Sequence, residues 1–476
     1  LKRKLITSAA FSSGAKFLSR VIGLISTLIL ARILTPTDFA MIAIIAIVIH
    51  LFDILSHTGA EQYIVQKSNV YDEDLNTAWT LDLLLKVLVC FLLVILAPFI
   101  TTFFDKPELT IVIQVASTTL IFNALRTPGL LLLKRGLEYK KIFYLSLVQR
   151  IISFIIVIFV AFYWRNYWAF VVADMVGAIV FTIGSYRIHT YRPSLSLIKV
   201  SEQWLFSKWL LGKYIVGYLG SQVDTVLVAK FFGNIQLGNY HMARDVAMLP
   251  GHNIIGPAIE PLLADFKDYK NTPNKLGRRV SKVLCLVAFI VVPITSYMLL
   301  YPSLIIDVLL GKQWVIAGEL LGVMSLLFFY YCFLLVIESA LTAIGRVRVL
   351  FYFDIFSLIL VVVTLLTYLQ MFNDLHLTVW LRVLIGLTLT FLITMILHSF
   401  VPLKFIQVGI TLVLSAGISG ISLALSYWIT MQIEIGQVMM LLVSGSIFCA
   451  TYTVVTVTLL PMLMGTTLGN LIKKYR

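Results

Sequence analysis

The residues best able to do chemistry in this chain are charged side chains set inside apolar runs. Lys16, Arg20, Arg32, Lys86, Arg126, Arg150, Lys213, Lys230, Arg244 and Arg382 all fall in stretches hydrophobic enough to cross a bilayer. A Lys or Arg at mid-span costs about 2.5–3.5 kcal/mol on insertion scales, so each needs a partner or water. Some have simple explanations. Asp82 and Lys86 are four residues apart on one helix and neutralise each other. Arg32, Lys230 and Arg382 sit near helix ends, where they can snorkel. Arg20, Arg126, Arg150 and Lys213 lie roughly 9–13 Å inside the cytoplasmic ends of their expected spans, at about 1.5 Å per residue. Four cations at one depth on four helices form a ring for an anion entering from the cytoplasm, with Lys16 one turn from Arg20. Arginine suits phosphate, because its planar fork binds two oxygens at once.

The titratable partners are fewer. His50, Asp53 and His57 recur at i, i+3 and i+7, one face of a helix. That face has the form of a proton relay or a metal site, but no further ligand cluster accompanies it and no metal is expected. Pairing with the cations is its expected role, with ion coupling the alternative. Asp53, His57, Asp224, Arg244 and Glu260 are the candidates to line the cavity or couple an ion. Glu260 lies between Pro257 and Pro261, where a broken helix exposes carbonyls. Cys90, Cys285, Cys332 and Cys449 fall in apolar spans without metal or redox spacing. There is no phosphate-binding loop and no nucleophile–base constellation, so neither a nucleotide motor nor an enzyme is expected, and no cofactor.

The elements that must position these groups are spanning helices. At 60% hydrophobic and 13% charged, with mean hydropathy +0.96, the composition is that of a polytopic membrane protein. Applying a length of about 20 residues per span predicts roughly fourteen all-α spans. Ser12, Lys16, Ser19, Arg20, Gly23, Ser26 and Thr27 draw a polar, small-residue stripe along the first. Lys213, Gly217, Gly220, Ser221 and Asp224 repeat it on the seventh. Such stripes must face protein or a water-filled cavity. Arg126 precedes Thr127-Pro128-Gly129, where the helix should kink. Ala416-Gly417-Ile418-Ser419-Gly420 offers a small-residue face for close packing of the thirteenth span.

Basic residues set the orientation. One set of alternate loops holds nearly all of the Lys and Arg outside the spans; the other holds only Lys106, Arg165 and Lys312. This places both termini and the loops near 187–204 and 267–282 in the cytoplasm. The +14 formal charge then reports topology and contact with anionic lipid, not nucleic-acid binding. No cleavable signal is expected, because Leu1-Lys2-Arg3-Lys4 leads straight into the first span.

The chain also repeats itself. At a shift of 198 positions Ala229 meets Ala31, Lys230 meets Arg32 and Gly238 meets Ala40. At a shift of 208, Lys140, Phe143 and Tyr144 meet Arg348, Phe351 and Tyr352. Two six-span lobes follow, at 1–200 and 201–402, with two accessory spans and a cytoplasmic tail at 403–476.

Three stretches carry a family resemblance: SRVIGLISTLILARILTPT from Ser19, QVDTVLVAKFFGNIQLGNYHMARDVAMLP from Gln222, and residues 311–345, which open GKQWVIAGELLG and close ALTAIG. The run D-x-x-L-x-(A/G)-(K/R)-x-x-G from Asp224, followed by Leu237-Gly238-Asn239-Tyr240, is its most specific part. The chain resembles the bacterial polysaccharide-transporter family of oligosaccharide flippases, in the superfamily that holds MATE multidrug exporters and lipid II flippases. The resemblance implies two six-helix lobes around a V-shaped cavity and transport by alternating access. It further implies an undecaprenyl-pyrophosphate-linked oligosaccharide as substrate in the cytoplasmic membrane, bound for lipopolysaccharide O-antigen, exopolysaccharide or capsule. A polysaccharide polymerase and chain-length machinery are its expected partners. Ala40 stands where the family commonly carries glycine. A MATE-like cation-coupled multidrug exporter is the alternative. Its cationic substrates would favour a carboxylate-lined pocket, and the intramembrane excess of Lys and Arg argues against it.

Overall fold

In a computed structural model, the described residues are 2–57, 59–67, 69–433 and 436–463. Within them all of the regular structure is helical. Its first part runs α1 (Lys2–Ile33), α2 (Pro36–Leu55), α3 (Ala60–Gln66), α4 (Asp72–Phe103), α5 (Leu109–Ala124), α6 (Gly129–Arg135), α7 (Tyr139–Trp164), α8 (Trp168–Ile188) and α9 (Val200–Phe231). Next come α10 (Asn234–Pro250), a π-helical turn (Gly251–Ile255), α11 (Gly256–Ile259), α12 (Leu262–Asp268), α13 (Pro273–Leu300) and α14 (Pro302–Leu309). The last are α15 (Val315–Ala343), α16 (Val347–Met371), α17 (Leu375–Phe400), α18 (Phe405–Thr430) and α19 (Gln437–Leu463).

Among the described residues eleven helices are long and apolar enough to cross a membrane, or twelve when α5 and α6 are joined as one bent span. The two further spans expected from the sequence correspond to α9 and to the segment from α10 through α11. Both are polar for spanning helices, with Gln222 and Asp224 on the first and Arg244, Asp245 and His252 on the second.

Local chemistry explains several boundaries. Thr35 caps α2 in a reciprocal box: its Oγ1 accepts from the Asp38 amide at 3.3 Å, and Asp38 Oδ2 accepts from the Thr35 amide at 3.0 Å. Pro36 fills the first helical position, where no amide is needed. Between α5 and α6 the axis bends by 60° at Thr127-Pro128, as the proline requires. The groups released there are bonded again. The Thr127 amide donates to Ser185 Oγ at 3.1 Å, and Thr127 Oγ1 donates to the Tyr191 carbonyl at 2.9 Å. A second break falls at the π-turn between Pro250 and Pro257, and α11 closes at Glu260.

The chain divides into two compact units: Leu1–His241 with Asp354–Asn373, and Met242–Phe353 with Asp374–Arg476. In the first, α1 lies on α7, with Phe11 edge-on to Phe143 at 5.5 Å. Gly177 and Gly184 let α8 sit against Ser153 and Leu145 of α7, where any Cβ would overlap those side chains. The residues after α8 run extended along the start of α4. There the Ser194, Ser196 and Lys199 amides donate to Asn76 Oδ1, Thr80 Oγ1 and Thr77 Oγ1 at 3.0, 3.0 and 3.3 Å.

The second unit has a dense apolar core in which Phe328, Val336 and Ala340 of α15 meet Leu284, Ala288 and Val291 of α13. The small-residue face expected on α18 is corrected here. Among the described residues a Cβ added at Gly417 or Gly420 meets nothing within 4 Å. The buried stripe is instead hydroxylic (Thr411, Ser415, Ser419, Ser422, Ser426 and Thr430), on a helix that packs on α13 and α19. Ser415 and Ser426 bond across those contacts. Ser426 Oγ donates to the Ser444 carbonyl at 2.9 Å, and Ser415 Oγ lies 2.8 Å from the Tyr452 hydroxyl.

Candidate functional site

The first unit gathers charge on α2, α4, α7 and α8. Lys86 of α4 is mostly buried and bridges two carboxylates, Asp82 Oδ2 at 3.2 Å on its own helix and Asp53 Oδ1 at 3.8 Å on α2. Asp174 of α8 lies within electrostatic reach of Arg126, Arg150, Asp53 and His50. Arg126 in turn feels Asp53, Asp82 and Asp174.

Arg126 sits at the 60° bend, where α5 has ended. Its Nη2 donates to Asn123 Oδ1, its guanidinium lies 4.4 Å from the centre of the Phe181 ring, and its Nε is buried with no hydrogen-bond partner among the described residues. An orphaned donor of this kind on a charged group is expensive to keep in a membrane protein. Arg150 is exposed on α7, and α1 brings Gly23 against it, since a Cβ there would lie 3.9 Å from Arg150 Nη2. Arg20, half-exposed, is three residues before Gly23 on that same helix.

Two histidine–tyrosine pairs join α2 and the turn after it to α9. His50 lies 5.7 Å from Tyr218 and His57 lies 5.5 Å from Tyr214, centroid to centroid. The Tyr218 hydroxyl donates to the Ile47 carbonyl at 3.0 Å. On the polar stripe of α9, a Cβ at Gly217 or Gly220 meets nothing within 4 Å among the described residues.

The structure thus brings Asp53, Arg126 and Arg150 into one neighbourhood, with Arg20 about a turn from Arg150 along the α1–α7 contact. Lys16 is exposed on α1. The side chain of Lys213 lies outside the described residues. Asp224 is buried: its Oδ2 accepts from the Tyr240 hydroxyl at 3.0 Å and its Oδ1 from the Thr225 amide at 2.9 Å, which ties α9 to α10. Arg244 and Glu260 belong to the second unit. Sequence reasoning treated Lys86 as neutralised within α4 and gave no place to Asn123 or Phe181. The spacing of Asp82 and Lys86 was visible; the reach across to α2 was not.

Beyond the spans, charge is paired more conventionally. Lys67 Nζ reaches Asp74 Oδ1 at 2.6 Å, the Tyr63 hydroxyl at 2.9 Å and Glu202 Oε2 at 3.4 Å. The Asp74 bond, more than any other contact, raises the Lys67 ammonium above its ordinary pKa. The Tyr63 hydroxyl holds the Glu202 carboxyl below its own. Near the far end of α9, Lys230 Nζ meets Asp105 Oδ2 at 2.8 Å.

Residues 29–319, more than half of the chain, match the sequence profile of the family described as "Polysaccharide biosynthesis protein". The chain belongs to that family. Its relatives include the lipopolysaccharide biosynthesis protein WzxC of Escherichia coli K12, 25% identical over 85% of this chain and 82% of the relative. The succinoglycan biosynthesis transport protein ExoT of Rhizobium meliloti is 21% identical over 63% of this chain and 61% of its own. Among solved structures, the lipid II flippase MurJ in an inward closed conformation superposes with a TM-score of 0.76. That match covers 95% of this chain and 100% of MurJ at 13% identity. An inward-facing MATE-family transporter follows at 0.62, covering 80% and 95% at 12% identity. At these identities the two structures establish the fold: this family member is built as a MurJ- and MATE-like helical membrane protein.

Proposed function

We propose that this protein is a flippase, not an enzyme, that carries polyprenyl-diphosphate-linked oligosaccharide from the cytoplasmic to the outer leaflet of the bacterial cytoplasmic membrane. The observation that carries this reading is Arg126. A guanidinium at a helix bend inside the membrane, with its Nε buried and unpartnered among the described residues, has a use if an anionic headgroup arrives to accept from it. Arg150 and Arg20 extend the cationic surface toward α1, and Asp53 and Asp174 hold the charges while the site is empty. Family membership supplies the substrate class: a glycan assembled on a lipid carrier in the cytoplasm must cross before polymerisation outside. Rocking between inward- and outward-open states would carry the diphosphate across. In this reading both termini are cytoplasmic, Lys213 completes the cationic ring, and polysaccharide polymerase and chain-length machinery are downstream partners.

The test is reconstitution in liposomes with a fluorescent polyprenyl-diphosphate oligosaccharide, scoring the fraction of label accessible to an impermeant quencher. Arg126→Ala should slow flipping about tenfold to a hundredfold, the range for losing a charge-assisted hydrogen bond. Arg126→Lys should recover part of it, keeping charge but losing the fork. Wild-type protein that moves the glycan lipid no faster than protein-free liposomes would refute the proposal.

A further inference from the structure

A cavity of about 400 Å³ opens between α2, α9 and α16, all of its walls belonging to the first unit. It is apolar. Ile47 and Leu51 line it from α2, Val223 and Val226 from α9, and Leu358 and Val362 from α16. Its volume lies within the range of about 300–1,000 Å³ usual for pockets that hold a small molecule or part of a larger one.

What distinguishes this recess from ordinary lipid-facing surface is its neighbour. Tyr218 also lines it, and the hydroxyl of Tyr218 is bonded to the Ile47 carbonyl. The ring of the same tyrosine meets His50. His50 begins the polar face of α2 that continues to Asp53, Lys86 and the surroundings of Arg126 and Arg150. Ile47 and His50 are less than one helical turn apart. An apolar recess and a cluster of arginines, lysine and carboxylates therefore adjoin along a single helix. A molecule that fills both has an anionic head and a long hydrocarbon tail.

We propose that this recess is a binding site for a segment of the isoprenoid tail, engaged while the diphosphate occupies the arginine cluster. The proposal rests on the flippase reading and adds to it a protein site for the tail, in place of a tail left wholly in bulk lipid. Seating part of the tail would fix the distance between head and membrane and favour a carrier lipid over a water-soluble sugar diphosphate.

The experiment uses a polyprenyl phosphate with a photoactivatable diazirine in its tail, added to the purified full-length protein in liposomes. Crosslinks should fall on peptides of α9 and α16 and should be competed away by unlabelled polyprenyl phosphate. Val362→Trp and Val226→Phe, each filling the recess, should lower that labelling and the flipping of a long-tailed substrate about tenfold. Flipping of an analogue with only two isoprene units should be unchanged. Equal labelling of the same peptides by a diazirine phosphatidylglycerol, without competition by polyprenyl phosphate, would show that the recess takes any acyl chain and would overturn the proposal. So would normal long-tail flipping by both filled variants. The two readings fail separately. Specific tail labelling in a protein that flips nothing would sink the flippase and keep the site. Normal flipping with no labelling in α9 or α16 would do the reverse.

Discussion

Lys86→Met removes the cation that bridges α2 and α4, and its cost can be worked from the geometry. At an effective dielectric of about 20, unit charges 3.2 and 3.8 Å apart attract by about 5 and about 4 kcal/mol. Desolvating three charged groups cancels most of that gain. The Asp53 side chain is 39% exposed, so solvent screens its share and the Lys86–Asp53 coupling should be near about 1 kcal/mol. Asp82 is 25% exposed and loses its nearest cation, at a cost of about 2 kcal/mol, below the roughly 3–5 kcal/mol of a fully buried broken pair. Lys86→Met should therefore destabilise the protein by about 3 kcal/mol. The damage comes from the stranded carboxylate, so Asp82→Asn in the Lys86→Met background should recover about half. Asp53→Asn alone should cost about 1 kcal/mol. Reversible chemical unfolding in detergent micelles, run as double-mutant cycles, measures each quantity. Wild-type stability in Lys86→Met, or a double variant no more stable than Lys86→Met, would refute the bridge as a stabilising element.

The remaining expectations are shorter. Gly238→Ala should cost about 1–3 kcal/mol and lower the yield of folded protein, because a Cβ there would overlap the Pro36 carbonyl; Gly217→Ala, in open space, is the matched control, and equal yields would refute the close approach. The Lys67 ammonium is held above its ordinary pKa in the folded state, so its contribution is complete below the unfolded value near about 10.4 and is lost only as pH rises through the higher folded value. The difference in thermal midpoint between wild type and Lys67→Gln should therefore stay constant from about pH 6 to about pH 9, and a difference that vanishes across that window would refute the assignment. A single cysteine at Ser196 or Lys270, in a background with the four native cysteines replaced, should react only with a membrane-permeant thiol reagent; labelling of intact cells by an impermeant one would invert the proposed orientation.

The sequence by itself determined the all-α membrane class, because apolar runs of spanning length cannot be satisfied any other way in lipid. It also located the breaks. Thr127-Pro128 and the pair Pro257 and Pro261 interrupt helices for local steric reasons that need no tertiary context. The structure bends the chain at the first and ends α11 between the two prolines of the second, whereas the π-turn at Gly251–Ile255 lies upstream of the expected break. The cap of α2 was equally local, written in Thr35, Pro36 and Asp38. Arg126 was conspicuous as a charge in the wrong solvent.

Tertiary structure decided what those charges meet. Lys86 has a partner at i−4 that the sequence displays and a second on α2 that depends on how two helices pack. Asp174 joins Arg126 and Arg150 from α8, and no spacing in the chain encodes that encounter. Asp224 carries the most specific motif in the sequence, yet it is buried against Tyr240 as a helix-to-helix tie. On α18 the glycines were the more conspicuous small residues, whereas packing chose the serine and threonine stripe, since hydroxyls both approach closely and bond across the interface. The same division holds for the pairing of the repeated turns. Local sequence allows either alanine or glycine at position 238, but only the carbonyl of Pro36, brought beside it by folding, leaves no room for a methyl group.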